Sequence, residues 1–402
     1  MDVNLRKLLK KPIKAVTVGI YKLLLPFFHS DKKMIVFDSS IGLNYTGSPR
    51  AVYERMVELG LDKEYKCIWF FQKGKAPENL PGHAKTVRYG RIRYLYYMSK
   101  AGLWLFDARQ PKFIKKRKDQ HYIQTWHGTP LKKLALDMDN VTMAGSSNIE
   151  TYKKNFRENA KTWDFLIAQN DYSASIFRRC FDFKKEMLLT GYPRNDVLFR
   201  KNNPTDINLL KKELGLPLDK KIILYAPTWR DDEYDATGKY EFRPKLDFPK
   251  MKEALEGEYV MAVKYHYLVG EKIDWTGFEG FVYPFTAQAE ISSLYLVSDL
   301  MITDYSSVMF DYSLLHRHMY FYAYDLDKYR DSIRGFYFNF LEDIPGPVSQ
   351  NTDELIHDLH LTDVLFEEKY GERERLWYEK FHTYEHGNAS DSIIKLFGDL
   401  SK

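Results

Sequence analysis

The sequence predicts an α/β protein made of two Rossmann-like, doubly wound domains that face each other across a cleft. Three observations support this fold class. Short apolar runs of strand length alternate with amphipathic helical patterns, which is typical of βαβ units whose parallel sheet is covered on both faces. The alternation occurs in two successive series separated by one polar segment. The chain has 402 residues, which is enough for two such domains.

The two series define the expected domains. Strand-like runs of the first series lie at 34–38, 66–71, 103–106, 122–126, 165–168 and 187–190, with helical patterns at 50–59 and 91–101. Those of the second lie at 222–226, 259–264, 281–283, 300–303 and 319–323. A polar break at 199–206 has the composition of a linker. We therefore expect domains at 31–200 and 205–385, then a C-terminal helix at 386–402 capped by Asn388 or Ser390.

The basic excess of the chain is confined to residues 1–30. Six Lys or Arg residues and one Asp give this segment a net charge of +5, which equals that of the whole chain. Its apolar residues recur at a helical spacing from Leu5 to Leu24, but Lys22 and Pro26 interrupt any membrane-spanning run. The segment is expected either to lie on an anionic membrane surface or to dock on its own domain.

The charge distribution and the two cysteines indicate which classes of partner and which cellular compartment fit this sequence. Residues 31–402 carry no net charge, which argues against a nucleic-acid-binding face. The two cysteines, Cys67 and Cys180, lie far apart and have no metal-ligand spacing, which fits a reducing compartment. Together with the basic N-terminal segment, this predicts a peripheral protein on the cytoplasmic face of the cell membrane.

His127 follows a strand-like run of the first domain, where open α/β sheets bind ligands. Gly128 permits a sharp turn, and Pro130 is expected to begin a helix that carries Lys132 and Lys133 in its first turn. A histidine that titrates near neutral pH takes a proton from an attacking hydroxyl, so His127 is a candidate general base. The alternative is a capping or core histidine.

The second domain offers a histidine and a serine pair. His266 follows a strand-like run and is expected to face His127 across the cleft, where it would stabilise charge on a phosphate; a structural role is the alternative. Another strand ends at Thr303 and is followed by Asp304, Ser306 and Ser307, with a helix expected from about Ser307. Hydroxyls and backbone N–H groups at a helix start bind an anion such as a diphosphate, although ordinary N-capping explains the serines as well.

Two further segments are weaker candidates. Thr228 and Arg230 follow the strand at 222–226, and the guanidinium of Arg230 is suited to clamping a phosphate. The adjacent acids at 231–233 either bind a divalent ion or are simply solvated. A basic run at 111–118 lies beside the His127 strand and either is a solvated loop or contacts an anionic acceptor or lipid headgroups.

Several of these segments together resemble the CDP-glycerol:poly(glycerophosphate) glycerophosphotransferase family, which comprises primases and polymerases of wall teichoic acid and related capsules. The matching pieces occur in the family's order and cover about residues 33–350. They lie at 126–130, 191–196, 226–230, 303–311, 334–337 and 345–347.

The resemblance implies a GT-B-like fold and transfer of glycerol phosphate from CDP-glycerol to a hydroxyl of an undecaprenyl-diphosphate-linked acceptor, with no metal and no cofactor. It implies that His127 is the base and that the second domain binds the donor. The catalytic residues would be His127 and His266, and the donor-binding residues would be Thr228, Arg230, Asp304, Ser306 and Ser307.

Two positions depart from the family pattern. His318 stands where a proline is usual and Asn339 where an acid is common, and both are expected at the polyol or ribose end of the donor pocket. They leave a CDP-ribitol transferase as the nearest alternative. A nucleotide-sugar glycosyltransferase and an inactive membrane adaptor are more distant ones. The sequence does not distinguish a primase from a polymerase, or wall teichoic acid from capsule.

Overall fold

Two parallel sheets organise the molecule, and the computed structural model describes residues 18–23, 25–140, 148–228, 245–264, 273–286, 289–326 and 335–402. The strands of the first sheet are β1 (Asp31–Asp38), β2 (Lys66–Phe71), β3 (Lys85–Arg88), β4 (Ala101–Phe106), β5 (His121–Gln124), β6 (Phe165–Ala168) and β7 (Glu186–Leu189). Those of the second are β8 (Lys221–Ala226), β9 (Tyr259–Lys264), β10 (Val282–Phe285), β11 (Leu300–Thr303), β12 (Met319–Tyr322) and β13 (Val348–Ser349).

The strand orders are those of doubly wound sheets. The first runs β3-β2-β1-β4-β5-β6-β7 and the second β10-β9-β8-β11-β12-β13, with parallel pairing throughout both. In each order the chain reverses direction beside the first strand, between β1 and β4 and between β8 and β11. Ligands bind at such switch points, beyond the carboxyl ends of the strands.

Helices cover both faces of the two sheets. They are α1 (Gly47–Glu58), α2 (Ile92–Lys100), α3 (Ile149–Ala160), α4 (Asp171–Cys180), α5 (Asp196–Arg200), α6 (Pro204–Glu213), α7 (Phe248–Leu255), α8 (Ile291–Val297), α9 (Val308–Tyr312), α10 (Phe340–Asp343), α11 (Thr352–Leu359), α12 (Asp363–Phe381) and α13 (Ala389–Leu400). Each sheet has a buried apolar cluster on either face, because central strands such as β4 and β11 are buried along their whole length.

The predicted α/β class with two Rossmann-like sheets is confirmed, whereas two edge strands escaped the sequence analysis. β3 buries only Val87 among its four residues, and β13 has two residues. An edge strand is covered on fewer sides than a central one, so it lacks the apolar run by which the central strands are recognised.

The polar break between the sheets is mostly helical. α5 ends at Arg200 and α6 begins at Pro204, so the loop is limited to residues 201–203. Asn203 accepts a hydrogen bond from the Asp206 backbone N–H at 3.1 Å, and Pro204 occupies the first turn of the helix. Asn and Pro are therefore an N-terminal capping signal at this position.

The C-terminal helix returns to the first domain. Ile393 and Phe397 of α13 join the cluster of apolar side chains around β1 and β2. Asn388 occupies the N-cap position, but its side chain makes no capping hydrogen bond. The Asp196 carboxylate accepts from the N–H groups of Ala389 and Ser390 instead, at 2.9 and 2.8 Å. The cap is thus supplied from a distant part of the chain, which sequence spacing does not reveal.

The first described residues have one buried face and one exposed apolar face. Residues 18–23 are helical, and Tyr21 and Leu25 are buried in the first-domain core. Ile20, Leu23 and Phe27 are 52%, 71% and 77% exposed. Most of the predicted amphipathic segment, residues 1–17 and residue 24, lies outside the described residues. Within the described ranges, no helix has the length and apolarity required to cross a membrane.

Candidate active site

The loop after β5 and the loop after β11 meet in the cleft. Gly128 of the first domain lies against Ser307 of the second, and a Cβ atom at Gly128 would lie 3.1 Å from Ser307 Oγ. A side chain at this position would crowd the contact between the two domains. The loops that carry the predicted base and the predicted serine pair are therefore neighbours, although Gly128 and Ser307 are 179 positions apart in sequence.

The His127 ring is fixed on two sides. It stacks on Trp126 with a centroid distance of 4.4 Å, and its Nδ1 lies 3.1 Å from the backbone oxygen of Asp107. A carbonyl oxygen only accepts hydrogen bonds, so Nδ1 carries the proton of the neutral ring and the lone pair resides on Nε2. Trp126 has a φ of 53°, a strained conformation for a bulky residue, and strain of this kind concentrates at functional sites.

The Asp107 carboxylate interacts electrostatically with the histidine. Its oxygens accept hydrogen bonds from Ser39 Oγ at 2.7 Å and from the Ser40 N–H at 2.8 Å. His127 keeps an exposed edge in the cleft, but desolvation by the surrounding protein lowers its pKa below the ordinary value, and the Asp107 carboxylate opposes this shift. Burial likewise raises the pKa of Asp107, against the effect of His127 and the two serine donors. The neutral imidazole that a general base requires is therefore favoured at neutral pH.

A second buried acid lies at the end of β1. Asp38 accepts hydrogen bonds from the Gly42 N–H and from Gln110 Nε2, the latter at 3.2 Å. Burial, together with the neighbouring Asp107, raises the pKa of Asp38 to about 8. This shift favours the protonated form of Asp38 at neutral pH.

The second-domain half of the cleft presents hydroxyl groups. As expected, a helix, α9, starts directly after Ser307, which occupies its N-cap position. Ser306 Oγ accepts a 3.4 Å hydrogen bond from the Val308 N–H, and both serines are partly exposed. Asp304 is buried and accepts a 2.9 Å hydrogen bond from the Thr228 N–H, which joins the ends of β11 and β8. One Asp304 oxygen thus fixes the backbone at Thr228.

Part of the predicted donor site lies outside the described residues, namely His266, Arg230 and the acids at 231–233. The described neighbour of His266 is Lys264 at the end of β9, whose Nζ donates to the Thr286 backbone oxygen at 3.0 Å. Burial lowers the pKa of Lys264 to about 8. In the described part of the chain, no group of three or more His, Cys, Asp or Glu residues is arranged to hold a metal ion.

The helix expected after Pro130 does not form. Lys132 instead makes an antiparallel bridge with Phe336 of the second domain. Lys133 N–H donates to the Gly335 oxygen at 2.9 Å, and Tyr337 N–H donates to the Leu131 oxygen at 3.0 Å. These interdomain bonds satisfy backbone groups that a helix would have paired locally, so the prediction was wrong for a tertiary reason.

A comparison with protein families decides the assignment. The family described as CDP-Glycerol:Poly(glycerophosphate) glycerophosphotransferase matches residues 20–397. The chain belongs to this family. The match extends over both domains and includes the cleft between them.

Similar proteins in the glycerophosphotransferase family are named as teichoic acid polymerases. A teichoic acid poly(glycerol phosphate) polymerase of Bacillus spizizenii is 40% identical over 95% of this chain and 97% of its own length. One of Bacillus subtilis is 43% identical over 90% of this chain, which spans only 48% of that relative. A teichoic acid poly(ribitol-phosphate) polymerase of Bacillus spizizenii is 28% identical over 90% of this chain and 55% of its own length.

A solved glycerophosphotransferase structure shares the fold. A histidine-to-asparagine variant of the wall teichoic acid polymerase TagF, soaked with CDPG, superposes with a TM-score of 0.90 and 38% identity. The match covers 100% of this chain and 98% of that one. The GT-B-like arrangement of two Rossmann-like domains is therefore shared over the whole length.

One departure from the family pattern is not where it was expected. His318 directly precedes β12, at the amino end of the second sheet, whereas donors bind beyond the carboxyl ends. Its ring stacks on Phe366 of α12 with a centroid distance of 3.9 Å. His318 therefore supports the packing of α12 and does not line the donor pocket. Asn339 is the N-cap of α10 and is exposed.

Sequence reasoning missed Asp107, Asp38 and Arg194 as site residues. Asp38 is the last residue of β1 and Asp107 the first after β4, both next to fully apolar runs. An acid at the carboxyl end of a buried strand was therefore a usable signal. Arg194 carried no such signal, because its partners His127 and Asp311 are 67 and 117 positions away.

Several residues of the basic run at 111–118 form ion pairs and hydrogen bonds within the first domain. Lys116 pairs with Asp164 at 2.8 Å and Arg117 with Asp119 at 2.9 Å. Lys115 N–H donates to the buried Tyr21 hydroxyl at 3.2 Å. These contacts favour the structural alternative for the middle of the run.

Proposed function

We propose that this protein transfers glycerol phosphate from CDP-glycerol to a hydroxyl of a lipid-linked teichoic acid or capsule acceptor and releases CMP. The observation that carries the proposal is the His127 ring, oriented by the Asp107 carbonyl, in a loop whose next residue, Gly128, packs against Ser307. The chain that holds this arrangement belongs to the glycerophosphotransferase family. The acceptor is expected to be linked to undecaprenyl diphosphate.

His127 acts as the general base. Its Nε2 takes the proton of the acceptor hydroxyl while the hydroxyl oxygen attacks the phosphorus that bears glycerol. The bond from that phosphorus to the oxygen of the CMP phosphate breaks, and CMP leaves as an anion that needs little protonation. The Asp107 carboxylate stabilises the imidazolium, and its hydrogen bonds to Ser39 and Ser40 keep it in place.

The second domain binds the donor diphosphate. Ser306 and Ser307 supply hydroxyl donors at the point where the two domains touch. Thr228, whose N–H is held by the Asp304 carboxylate, is proposed to join them. His266 and Arg230 are proposed to contact the phosphates as well. Fixed donors aimed at the phosphoryl oxygens stabilise charge in the transition state without a metal ion.

The donor is tested by direct competition. The protein is incubated with a defined lipid-linked acceptor and labelled CDP-glycerol, CDP-ribitol or UDP-sugar, and label transfer and CMP release are measured. Transfer from CDP-glycerol alone is expected, in line with 40–43% identity to glycerol phosphate polymerases and 28% to a ribitol phosphate polymerase. Preferential transfer from CDP-ribitol or a UDP-sugar would refute the proposal. The length of the product distinguishes one addition from many.

Membrane association is proposed for the start of the chain. Ile20, Leu23 and Phe27 project from the first domain, and Ile92 of α2 is 74% exposed. Apolar side chains of this kind, beside a basic segment at 1–17, suit peripheral binding to an anionic bilayer. The protein is expected on the cytoplasmic face of the cell membrane.

Vesicle sedimentation tests this association. A truncation should begin at Val18, because one that begins at Lys32 would remove the buried Tyr21 and Leu25. Loss of residues 1–17 is expected to abolish sedimentation with anionic vesicles, and binding of the full chain should weaken as salt rises. Equal sedimentation of both forms would show that the anchor lies elsewhere.

A further inference from the structure

The segment at 191–196 matches the glycerophosphotransferase pattern but has no role in the chemistry described so far. It follows β7 and crosses from the first domain towards the second. Asp196 caps α13, as described above. Gly191 lies against the C-terminal region, where a Cβ atom would be 2.7 Å from Glu385 Oε2 and 2.8 Å from the Tyr384 oxygen. The segment is therefore packed between elements from several parts of the chain.

Arg194 contacts both halves of the active site. Its Nη1 donates to the backbone oxygen of His127 at 2.8 Å, and its Nη2 forms a close ion pair with Asp311 on α9. α9 is the helix that starts directly after Ser307. One rigid guanidinium therefore joins the loop that carries the base to the helix that directly follows the serine pair.

Asp311, the second-domain partner of Arg194, is held in place by further hydrogen bonds. Asn195 Nδ2 donates to Asp311 Oδ1 at 3.0 Å and to Glu385 Oε1 at 2.9 Å. The Tyr192 N–H donates to the same Glu385 oxygen at 3.0 Å. The side chain of Asp311 is 3% exposed and that of Arg194 is 16% exposed. The ion pair is therefore well shielded from water, and a shielded pair with several hydrogen bonds holds its geometry closely.

The charges of this cluster balance. Burial raises the pKa of Glu385 to about 8, so this carboxyl group is neutral at neutral pH. Burial also raises the pKa of Asp311, but Arg194 and Asn195 favour its charged form. Arg194 and Asp311 then form a neutral pair, and both terminal nitrogens of the guanidinium are already engaged. This arrangement favours a role in holding the domains together over a direct contact with the donor phosphates.

We propose that Arg194 is a positioning residue that sets the distance between His127 in the first domain and the donor-binding helix α9 in the second. This inference rests on the proposed function of the cleft. A general base must lie within hydrogen-bonding reach of the hydroxyl that attacks the donor, and a misplacement of about 1 Å costs on the order of 100-fold in rate. The Arg194–Asp311 pair keeps the two domains in that register.

The test replaces the pair without leaving a buried charge. Removing one partner alone would strand the other and threaten folding, whereas apolar replacement of both is often tolerated. The test variant is Arg194→Met with Asp311→Leu. The matched control is Arg55→Met with Asp391→Leu, which removes another two-contact pair, at 2.7 and 3.3 Å, between α1 and α13. Thermal unfolding is measured for both variants.

The expected result is a loss of turnover with donor binding retained. kcat for glycerol phosphate transfer should fall by about 100-fold in the test variant, with KM for CDP-glycerol within about threefold of wild type, because the interaction acts on the reacting geometry. The control variant should keep wild-type kcat. Unchanged kcat in the test variant would overturn the proposal. So would a large rise in KM without a fall in kcat, which would make Arg194 a donor ligand.

Hydrogen exchange provides a readout that does not depend on activity. Amides of the loop at 125–131 should exchange faster in the test variant than in wild type or the control, because their link to α9 is lost. Unchanged exchange would refute the positioning role whatever the reaction is. If wild type transfers nothing from CDP-glycerol while exchange changes as expected, the proposed function fails and the interdomain link stands.

Discussion

The strand ends of the two domains face the same cleft with different chemistry. On the first-domain side lie His127, Asp107 and Asp38, three titratable groups whose pKa values are all shifted by burial. On the second-domain side, Ser306 and Ser307 present hydroxyl groups, and the nearby carboxylates are already occupied: Asp304 accepts from the Thr228 N–H and Asp311 pairs with Arg194.

This difference separates two tasks. A group that takes up a proton must have a tuned pKa, which burial and a neighbouring carboxylate provide for His127. A site that binds a diphosphate needs hydrogen-bond donors and no free carboxylate, because like charges repel. Asp38 fits the same logic, since a pKa raised to about 8 favours its neutral form and limits the negative charge of the cleft. The first domain is thus suited to proton transfer and the second to anion binding.

The largest expected effect comes from removing the base. His127→Ala should lower kcat by about 100- to 10,000-fold, the usual range for a general base, while affinity for CDP-glycerol stays nearly unchanged. Rates are measured with a defined acceptor, and donor affinity by calorimetry. His83→Ala is the control, because His83 is an exposed histidine paired with Asp62. A His127→Ala protein within a few-fold of wild type would assign the base to another residue.

The complementary change blocks the donor side. Ser306→Leu with Ser307→Leu should weaken CDP-glycerol binding by about 10- to 100-fold, because two hydrogen-bond donors are lost and the approach to α9 is obstructed. Ser175→Leu, at an exposed serine of α4, is the matched control. If a folded double variant binds the donor as wild type does, the diphosphate does not lie at these serines.

A smaller change should appear in the pH dependence. Since the pKa of His127 lies below its ordinary value, activity should be constant near neutral pH and fall as the pH drops through that pKa. The Asp107 carboxylate raises the pKa of the ring, so Asp107→Asn should move the acid limb of kcat to lower pH. kcat is measured as a function of pH for both proteins. A shift to higher pH, or none, would contradict this electrostatic role.

The smallest expected effect is that of chelation. Activity in excess EDTA should stay within about twofold of the untreated enzyme, because serine, histidine and arginine donors are proposed to stabilise the phosphoryl charge. Treatment with EDTA followed by added Mg²⁺ checks this. Loss of activity with rescue by Mg²⁺ would place the acids at 231–233 in the active site and would weaken the contrast between the two domains.

Strand pattern and strand-end residues were readable from the sequence. The central strands are buried on both faces, so their apolar runs were visible, and the residues that follow them lie at the edge where ligands bind. His127, Ser306 and Ser307 were chosen as candidates in this way. Edge strands such as β3 were not, because a partly exposed strand has no continuous apolar run.

The sequence determined the two-sheet fold, the candidate base and the serine pair, because each depends on residues close together in the chain. Only the tertiary structure decided which groups surround them. The Nδ1 tautomer of His127 depends on a carbonyl 20 positions away, and the extended path of residues 131–133 depends on pairing with residues 335–337. The link from Arg194 to Asp311 spans 117 positions. Such contacts form between residues that are far apart in the chain, so the spacing of neighbouring residues in the sequence does not predict them.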